Sequence, residues 1–217
     1  MSEIVINVKA GDTFEESSVS AIGQLVHVIY DSERSSFGIG SDDDLKRAVN
    51  SYFGKKPNDA YLKSPTPWND LYKSYGWPQV QTVLEPKRAE ILEVDTKPTI
   101  LNTNTLTNES DFTATFTSKI SKDVTDSVSN TWSNSSKVSF QQTVEYKFKF
   151  LGIGAGGETS FGFEQEWGRS QTVTKESTVG METGVSVELK PGESAIVELS
   201  ASSGTMRVRI TYEARLT

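Results

Sequence analysis

Between Lys137 and Trp167 the side chains alternate so strictly that few folds can accept them. Even positions carry Val138, Phe140, Val144, Tyr146, Phe148 and Phe150; odd positions carry Lys137, Ser139, Gln141, Thr143, Glu145, Lys147 and Lys149. Successive side chains of a strand point to opposite faces, so this period of two predicts a β-strand with one apolar and one polar face. After the glycine-rich break Leu151-Gly152-Ile153-Gly154-Ala155-Gly156-Gly157, the apolar set is Phe161, Phe163 and Trp167, on odd positions. Both arms share one apolar face only if even residues pair with odd ones, which demands a loop with an even number of residues. The expectation is a two-faced hairpin; among even loops Gly156-Gly157 is favoured because it opposes Lys149 to Glu164 and Lys147 to Glu166, while a G-x or longer loop is also allowed.

The rest of the chain divides near residue 80. In residues 1–80, Ile4 and Ile6 alternate into a short strand ending at Gly11-Asp12. Gln24 to Tyr30 reads as a second strand, and Ser35 to Gly40 as a turn leading into a third. Ser41 then fits a helix N-cap, with Asp42, Asp43 and Asp44 at the positive end of the dipole, and Gly54 is the stop. Thr66 and Pro67 start a second short helix that Gly76 ends. This half is a small α+β head. From residue 81 onward, Val83–Val94, Phe112–Trp132, Val185–Leu189, Ala195–Ala201 and Met206–Leu216 alternate as strands. Lys190-Pro191-Gly192-Glu193 and Ser203-Gly204 read as turns between them. In Phe112–Trp132 the apolar residues recur every fourth position, but the intervening threonines are β-branched, so long, mostly solvated strands are expected.

Composition removes several functions. The 217 residues carry a formal net charge of −7, which argues against nucleic acid and against a permanently bound anionic membrane. There is no cysteine, hence no disulfide and no thiolate metal site. No apolar run reaches the ~18 residues of a membrane-spanning helix. Met1-Ser2-Glu3-Ile4 lacks the basic start and apolar core of a signal peptide, so export by another route, or after earlier removal of a signal, is expected.

Asn130-Thr131-Trp132-Ser133, Phe148-Lys149-Phe150-Leu151-Gly152, Gly157-Glu158-Thr159-Ser160-Phe161 and Glu166-Trp167-Gly168-Arg169-Ser170-Gln171-Thr172 resemble the pore module of aerolysin-like β-pore-forming proteins. The run from Val185 through Lys190-Pro191-Gly192-Glu193 to Val208, Ile210 and Tyr212 is similar to that module's last strands. Within the group the short spherulin-like members are the nearest in pattern. The resemblance covers residues 81–217 and rests on order and spacing. It implies a mainly β fold: an elongated, twisted antiparallel sheet module of aerolysin type behind the α+β head. It further implies a secreted protein that binds a target cell membrane, forms a homo-oligomeric ring and inserts the hairpin 138–167 into a transmembrane barrel. Residues 1–80 match no receptor-binding head.

Physical reasoning gives the same hairpin its faces. A barrel strand crosses a bilayer in about 9–11 residues, apolar outside and polar inside. The lipid face is then Phe140, Val144, Tyr146, Phe148, Phe150, Phe161, Phe163 and Trp167; the lumen is Glu145, Lys147, Lys149, Glu164 and Glu166; Leu151 to Gly157 form the tip. The competing reading is a sheet lying on a soluble core, with the hairpin never inserting, as in a non-lytic aerolysin-fold binding or storage protein.

No enzymatic constellation and no cofactor site is expected. Gly152-Ile153-Gly154-Ala155-Gly156-Gly157 spells G-x-G-x-x-G but leads into a strand rather than a helix. His27, the one histidine, sits in an apolar run and reads as a buried strand residue. Asp42-Asp43-Asp44 is explained by the helix start without a metal. Asn108-Glu109-Ser110 and Asn134-Ser135-Ser136 are sequons. Trp68, Tyr72, Tyr75 and Trp77 could form a target-binding platform for carbohydrate or lipid headgroups; the plainer reading is a small core docking head against sheet.

Overall fold

The computed structural model describes residues 3–132, 138, 140–151, 158–180 and 184–217; the side chains of Phe150, Leu151, Glu158, Thr159 and Phe161 lie outside that description. The fold is mainly β, and its helices fall between residues 31 and 75. In chain order the strands are β1 (Ile4–Ala10), β2 (Ser18–Gly23) and β3 (Leu25–Val28), then a 3-10 helix (Asp31–Phe37), α1 (Asp42–Phe53) and α2 (Pro67–Tyr75). There follow β4 (Gln81–Thr107), β5 (Ala114–Ser118), β6 (Ser121–Asn130), β7 (Thr143–Leu151), β8 (Glu158–Glu166), β9 (Gln171–Gly180), β10 (Val185–Leu189) and β11 (Ser194–Leu216).

The spine is the antiparallel pair of β4 and β11, in register from Thr82↔Leu216 to Thr107↔Ser194. At about 3.3 Å per residue a strand of this length runs on the order of 75 Å. Register shifts at Leu199/Ser200, Arg207/Val208 and Thr211/Tyr212 bend and twist it. β3 continues this sheet beside β4. A second sheet has the order β2-β1-β7-β8, in which β1 runs antiparallel to β2 and parallel to β7. Two further ribbons pair β5 with β10 and β6 with β9.

The main core lies between the four-stranded sheet and the spine. Ile4, Ile6, Val8, Val144, Tyr146 and Phe148 enter it from the first, Leu84, Met206, Ile210, Tyr212 and Ala214 from the second. A smaller cluster of Ile29, Ile39 and Leu45 anchors α1. The α1 start is as expected: Ser41 Oγ accepts from Asp44 N at 3.1 Å, Asp44 answers on Ser41 N at 2.9 Å, and Gly54 closes the helix at φ 70°.

Three expectations are corrected. Ser35 to Gly40 is not a turn into a strand: the 3-10 helix covers Asp31–Phe37, because Glu33 is pulled inward by buried partners described below. Ser203-Gly204 is not a turn, since β11 runs straight through it. A Cβ on Gly204 would stand 2.1 Å from the Asp95 carbonyl oxygen, so this glycine serves close strand approach. Phe112–Trp132 divides into β5 and β6, broken at Ile120, which is buried with Val197 and Leu199. The sequon Asn108 is fully buried, its amide donating to Phe112 O and Leu189 O at 2.8 Å each, so in the folded chain it braces a turn. Asn134 lies outside the described residues.

Candidate functional site

β7 and β8 form the expected antiparallel hairpin, and even residues of one arm pair with odd residues of the other. The pairing, however, is Tyr146↔Phe163, Phe148↔Phe161, Lys149↔Ser160 and Leu151↔Glu158. The predicted opposition of Lys149 to Glu164 and Lys147 to Glu166 across a Gly156-Gly157 loop is therefore wrong by four residues. Glu145 stands opposite Glu164 instead. Charges on a solvated face contribute little, whereas stacked aromatics contribute about 0.5–1.5 kcal/mol beyond their burial. Tyr146 and Phe163 stack at 4.9 Å and Phe148 and Phe163 at 5.8 Å, and these contacts fix the register. Residues 152–157, which hold most of the predicted tip and the G-x-G-x-x-G run, lie outside the described residues; β8 follows them, with no helix to receive a phosphate.

Among the described side chains the predicted lipid face is turned into the core, while those of Phe150 and Phe161 lie outside that description. Phe140, Val144, Tyr146, Phe148 and Trp167 are all at most 8% exposed, Val138 joins them, and Phe163 is half-buried. Trp167 closes the base of the hairpin between Trp132 at 4.3 Å and Tyr212 at 4.7 Å. Burial raises the pKa of the Tyr212 hydroxyl well above the usual tyrosine value, so it stays a neutral packing group. The predicted lumen residues lie on the opposite, solvated face: Lys147, Lys149 and Glu164 are exposed, Glu145 and Glu166 half-buried. Lys147 Nζ contacts Glu145 Oε2 at 3.0 Å along its own strand, and Arg169 Nε contacts Glu166 Oε2 at 2.9 Å.

The aromatics of the head are not a docking core. Trp68 is 72% exposed, Tyr75 66% and Trp77 53%, with Tyr75 stacked on Trp77 at 5.0 Å. Tyr72 is held beneath them, its hydroxyl donating to Tyr61 O at 2.9 Å. Trp68, Leu71, Tyr72 and Trp77 line an open cleft of about 370 Å³ with Asp59, Ala60 and Tyr61. Trp68, Asn69 and Asp70 take the left-handed backbone region at φ 57°, 70° and 47°, a conformation costly for side-chain-bearing residues. Ser64 Oγ donates to Asp70 Oδ2, and this bond lowers the Asp70 pKa, keeping a carboxylate beside the cleft.

Two polar clusters escaped the sequence reading. Glu33 is 1% exposed; its carboxylate accepts from Thr82 Oγ1 at 2.9 Å and Tyr30 N at 3.2 Å and lies 2.9 Å from His27 Nε2. His27 packs edge-on against Phe140 at 4.4 Å, which links this cluster to the hairpin's base. The second cluster joins the hairpin to the β6–β9 ribbon: Asn130 Nδ2 donates to Gln165 Oε1 at 2.8 Å and to Tyr146 Oη at 3.1 Å, and Trp132 Nε1 to Arg169 O at 2.6 Å. One signal was present. Gln142 and Gln165 are polar residues at apolar-parity positions, and Gln142 Nε2 donates to Val26 O at 3.0 Å.

No protein-family model matches the chain. It is 37% identical over 206 residues to U-megalopygitoxin(8)-Mc8 of Megalopyge crispata, spanning 95% of this chain and 70% of that protein. It is 36% identical over 206 residues to U-megalopygitoxin(8)-Mo12 of Megalopyge opercularis, with the same two coverages. Among solved structures it is similar to parasporin-2, described as a Bacillus thuringiensis toxin that recognizes cancer cells, at 21% identity and a TM-score of 0.39 over 87% of this chain and 78% of that one. Identity sustained over nearly the whole chain places its membership beyond fold likeness: the chain belongs to the U-megalopygitoxin(8) family of toxins.

Proposed function

We propose that this chain is a pore-forming toxin of aerolysin type, nearest in plan to the short spherulin-like members, that acts outside the cell making it. It binds a target membrane, assembles into a ring of identical subunits and inserts β7–β8 from each to build a barrel. The observation that carries this reading is the hairpin: two nine-residue arms with one aromatic and one charged face. That length crosses a bilayer when tilted, and that alternation meets lipid outside and water inside. Phe140, Val144, Tyr146, Phe148, Phe150, Phe161, Phe163 and Trp167 then face lipid, Trp167 at the interfacial end. Glu145, Lys147, Lys149, Glu164 and Glu166 line the lumen, and Leu151 to Gly157 lead through the membrane. The family's toxin names agree with such an activity. The test is dye release from vesicles together with a detergent-resistant oligomer; absence of both under every lipid and pH condition tried sinks the proposal. The complete burial of Val144 favours a second reading, a soluble toxin whose hairpin stays in its core, and that reading predicts binding without leakage.

Residues 1–80 supply target recognition in this scheme, through Trp68, Tyr72, Tyr75 and Trp77. The exposed rings of Trp68, Tyr75 and Trp77, with Trp68 itself in a costly backbone conformation, fit a surface kept for contact rather than for packing. The double substitution Trp68→Ala and Tyr75→Ala is expected to weaken binding to susceptible cells by about tenfold or more, as loss of aromatic anchors does. Both side chains are exposed, so thermal stability should move by only about 0.5 kcal/mol. Unchanged cell binding would remove these residues from the recognition surface.

A further inference from the structure

We infer that the edge of β7 now covered by β1 is the subunit interface of the assembled toxin, and that β1 is a built-in cap standing where a second copy's β8 must dock. The inference rests on the pore reading above. A barrel has no free edges, so every hairpin in a ring must offer both its outer edges to neighbours. In the four-stranded sheet the order is β2-β1-β7-β8: among the described residues β8 pairs only with β7, whereas the other side of β7 is taken from Val144 to Phe150 by Ile4 to Ala10. Among the described residues the outer edge of β8 thus has no strand partner, only the Lys175 side chain donating to Ser160 O at 3.0 Å, while the edge of β7 is closed by β1. Such an arrangement keeps the subunit from adding partners on both sides while it is soluble.

The cap matches what it covers. Ile4, Ile6 and Val8 align with Val144, Tyr146 and Phe148 on the buried face, and Asn7 and Lys9 align with Lys147 and Lys149 on the other. β1 therefore has the alternation that a neighbouring hairpin arm would present. It is also the weaker of the two seams on β7. The β1 pairing is parallel, which is slightly less stable per residue, while like charges meet across both seams, Lys9 with Lys149 and Glu145 with Glu164. The β8 pairing is antiparallel and carries the Tyr146–Phe163 stack. The seam to β1 opens first and the hairpin leaves as one piece. At seven residues β1 is shorter than the ~9–11 of a barrel strand, and it is tied to β2 from Ile4↔Gly23 to Lys9↔Ser18, so it stays behind.

The chain has no cysteine of its own, so paired cysteines can be bridged selectively. Asn7→Cys with Lys147→Cys, joined by a short thiol-specific cross-linker such as dibromobimane, ties β1 to β7. Lys149→Cys with Ser160→Cys, treated alike, ties β7 to β8. Each bridged protein is compared with its own unbridged form for dye release from vesicles of susceptible-cell lipids. Bridging β1 to β7 should cut leakage about tenfold or more, and at least about fivefold more than bridging β7 to β8 does. Hydrogen exchange of the unmutated chain on the same vesicles gives a second readout: the amides of Ile4–Ala10 that bond to β7 rather than to β2 should lose protection by about tenfold, while those of β7 keep theirs. Leakage that survives the β1–β7 bridge, or β1 amides that stay protected, overturns the cap and says that β1 enters with the hairpin. If the unmutated chain releases no dye, the pore reading itself falls, and the cap falls with it.

Discussion

Trp167→Ala is expected to destabilise the folded chain by about 3–5 kcal/mol, the range for deleting a buried large aromatic. For a domain of this size each kcal/mol moves the thermal midpoint by roughly 2–4 °C, so a fall of about 10 °C should be visible in a melting curve. The cause is position. Trp167 is 8% exposed and fills the junction where Trp132, Phe140 and Tyr212 converge, at 4.3, 6.1 and 4.7 Å. Alanine would leave a cavity between hairpin, ribbon and spine that none of the three can close alone. Trp167→Phe is the informative partner substitution. Among the described residues the indole Nε1 is buried without a hydrogen-bond partner, so its removal forfeits no bond there and relieves a desolvation cost. The phenylalanine variant should therefore lose less than about 1.5 kcal/mol. Equal losses in the two variants would contradict the packing account.

Glu33→Ala should cost about as much, at least ~3 kcal/mol, for a different reason. The carboxylate serves the Thr82 hydroxyl at 2.9 Å and the Tyr30 N–H at 3.2 Å and sits 2.9 Å from His27 Nε2. Thr82 is fully buried, so water cannot replace the lost acceptor. Each buried donor left unpaired costs about 1–3 kcal/mol. Glu33→Gln keeps the shape and one carbonyl acceptor, and its loss should be limited to about 1–2 kcal/mol. Urea unfolding of the two variants measures the difference. Because His27 packs against Phe140 at 4.4 Å, the alanine variant should also loosen the base of the hairpin, read as faster exchange at Thr143 and Val144.

The strand content, the α1 caps and the two-faced hairpin were legible in the sequence because each follows from local alternation or a local turn. The parity switch from Phe150 to Phe161 correctly required an even loop. The register was not legible: cross-strand charges suggested one alignment, and the stacking of Tyr146 on Phe163, decided by tertiary contact, set another. The parallel partnership of β1 with β7 joins segments 140 residues apart, for which no local pattern exists. Ser35 to Gly40 read as a turn into a strand because the helix before it depends on Glu33 meeting Thr82 and His27, which come from other elements. Gly204 read as a turn because glycine's use in close strand packing is identical in sequence to its use in turns.

The central claim is that even residues of β7 leave the core for lipid while odd residues face water. Single cysteines placed in turn at Val144, Glu145, Tyr146, Lys147, Phe148 and Lys149, each carrying an environment-sensitive dye, test it on vesicles with quenchers confined either to the bilayer or to water. The account predicts strict alternation: lipid-borne quenchers reach the dye at 144, 146 and 148, and aqueous quenchers reach it at 145, 147 and 149. Dyes at all six positions that escape the lipid-borne quencher, on vesicles to which the protein is bound, would contradict it and leave the hairpin in the soluble core.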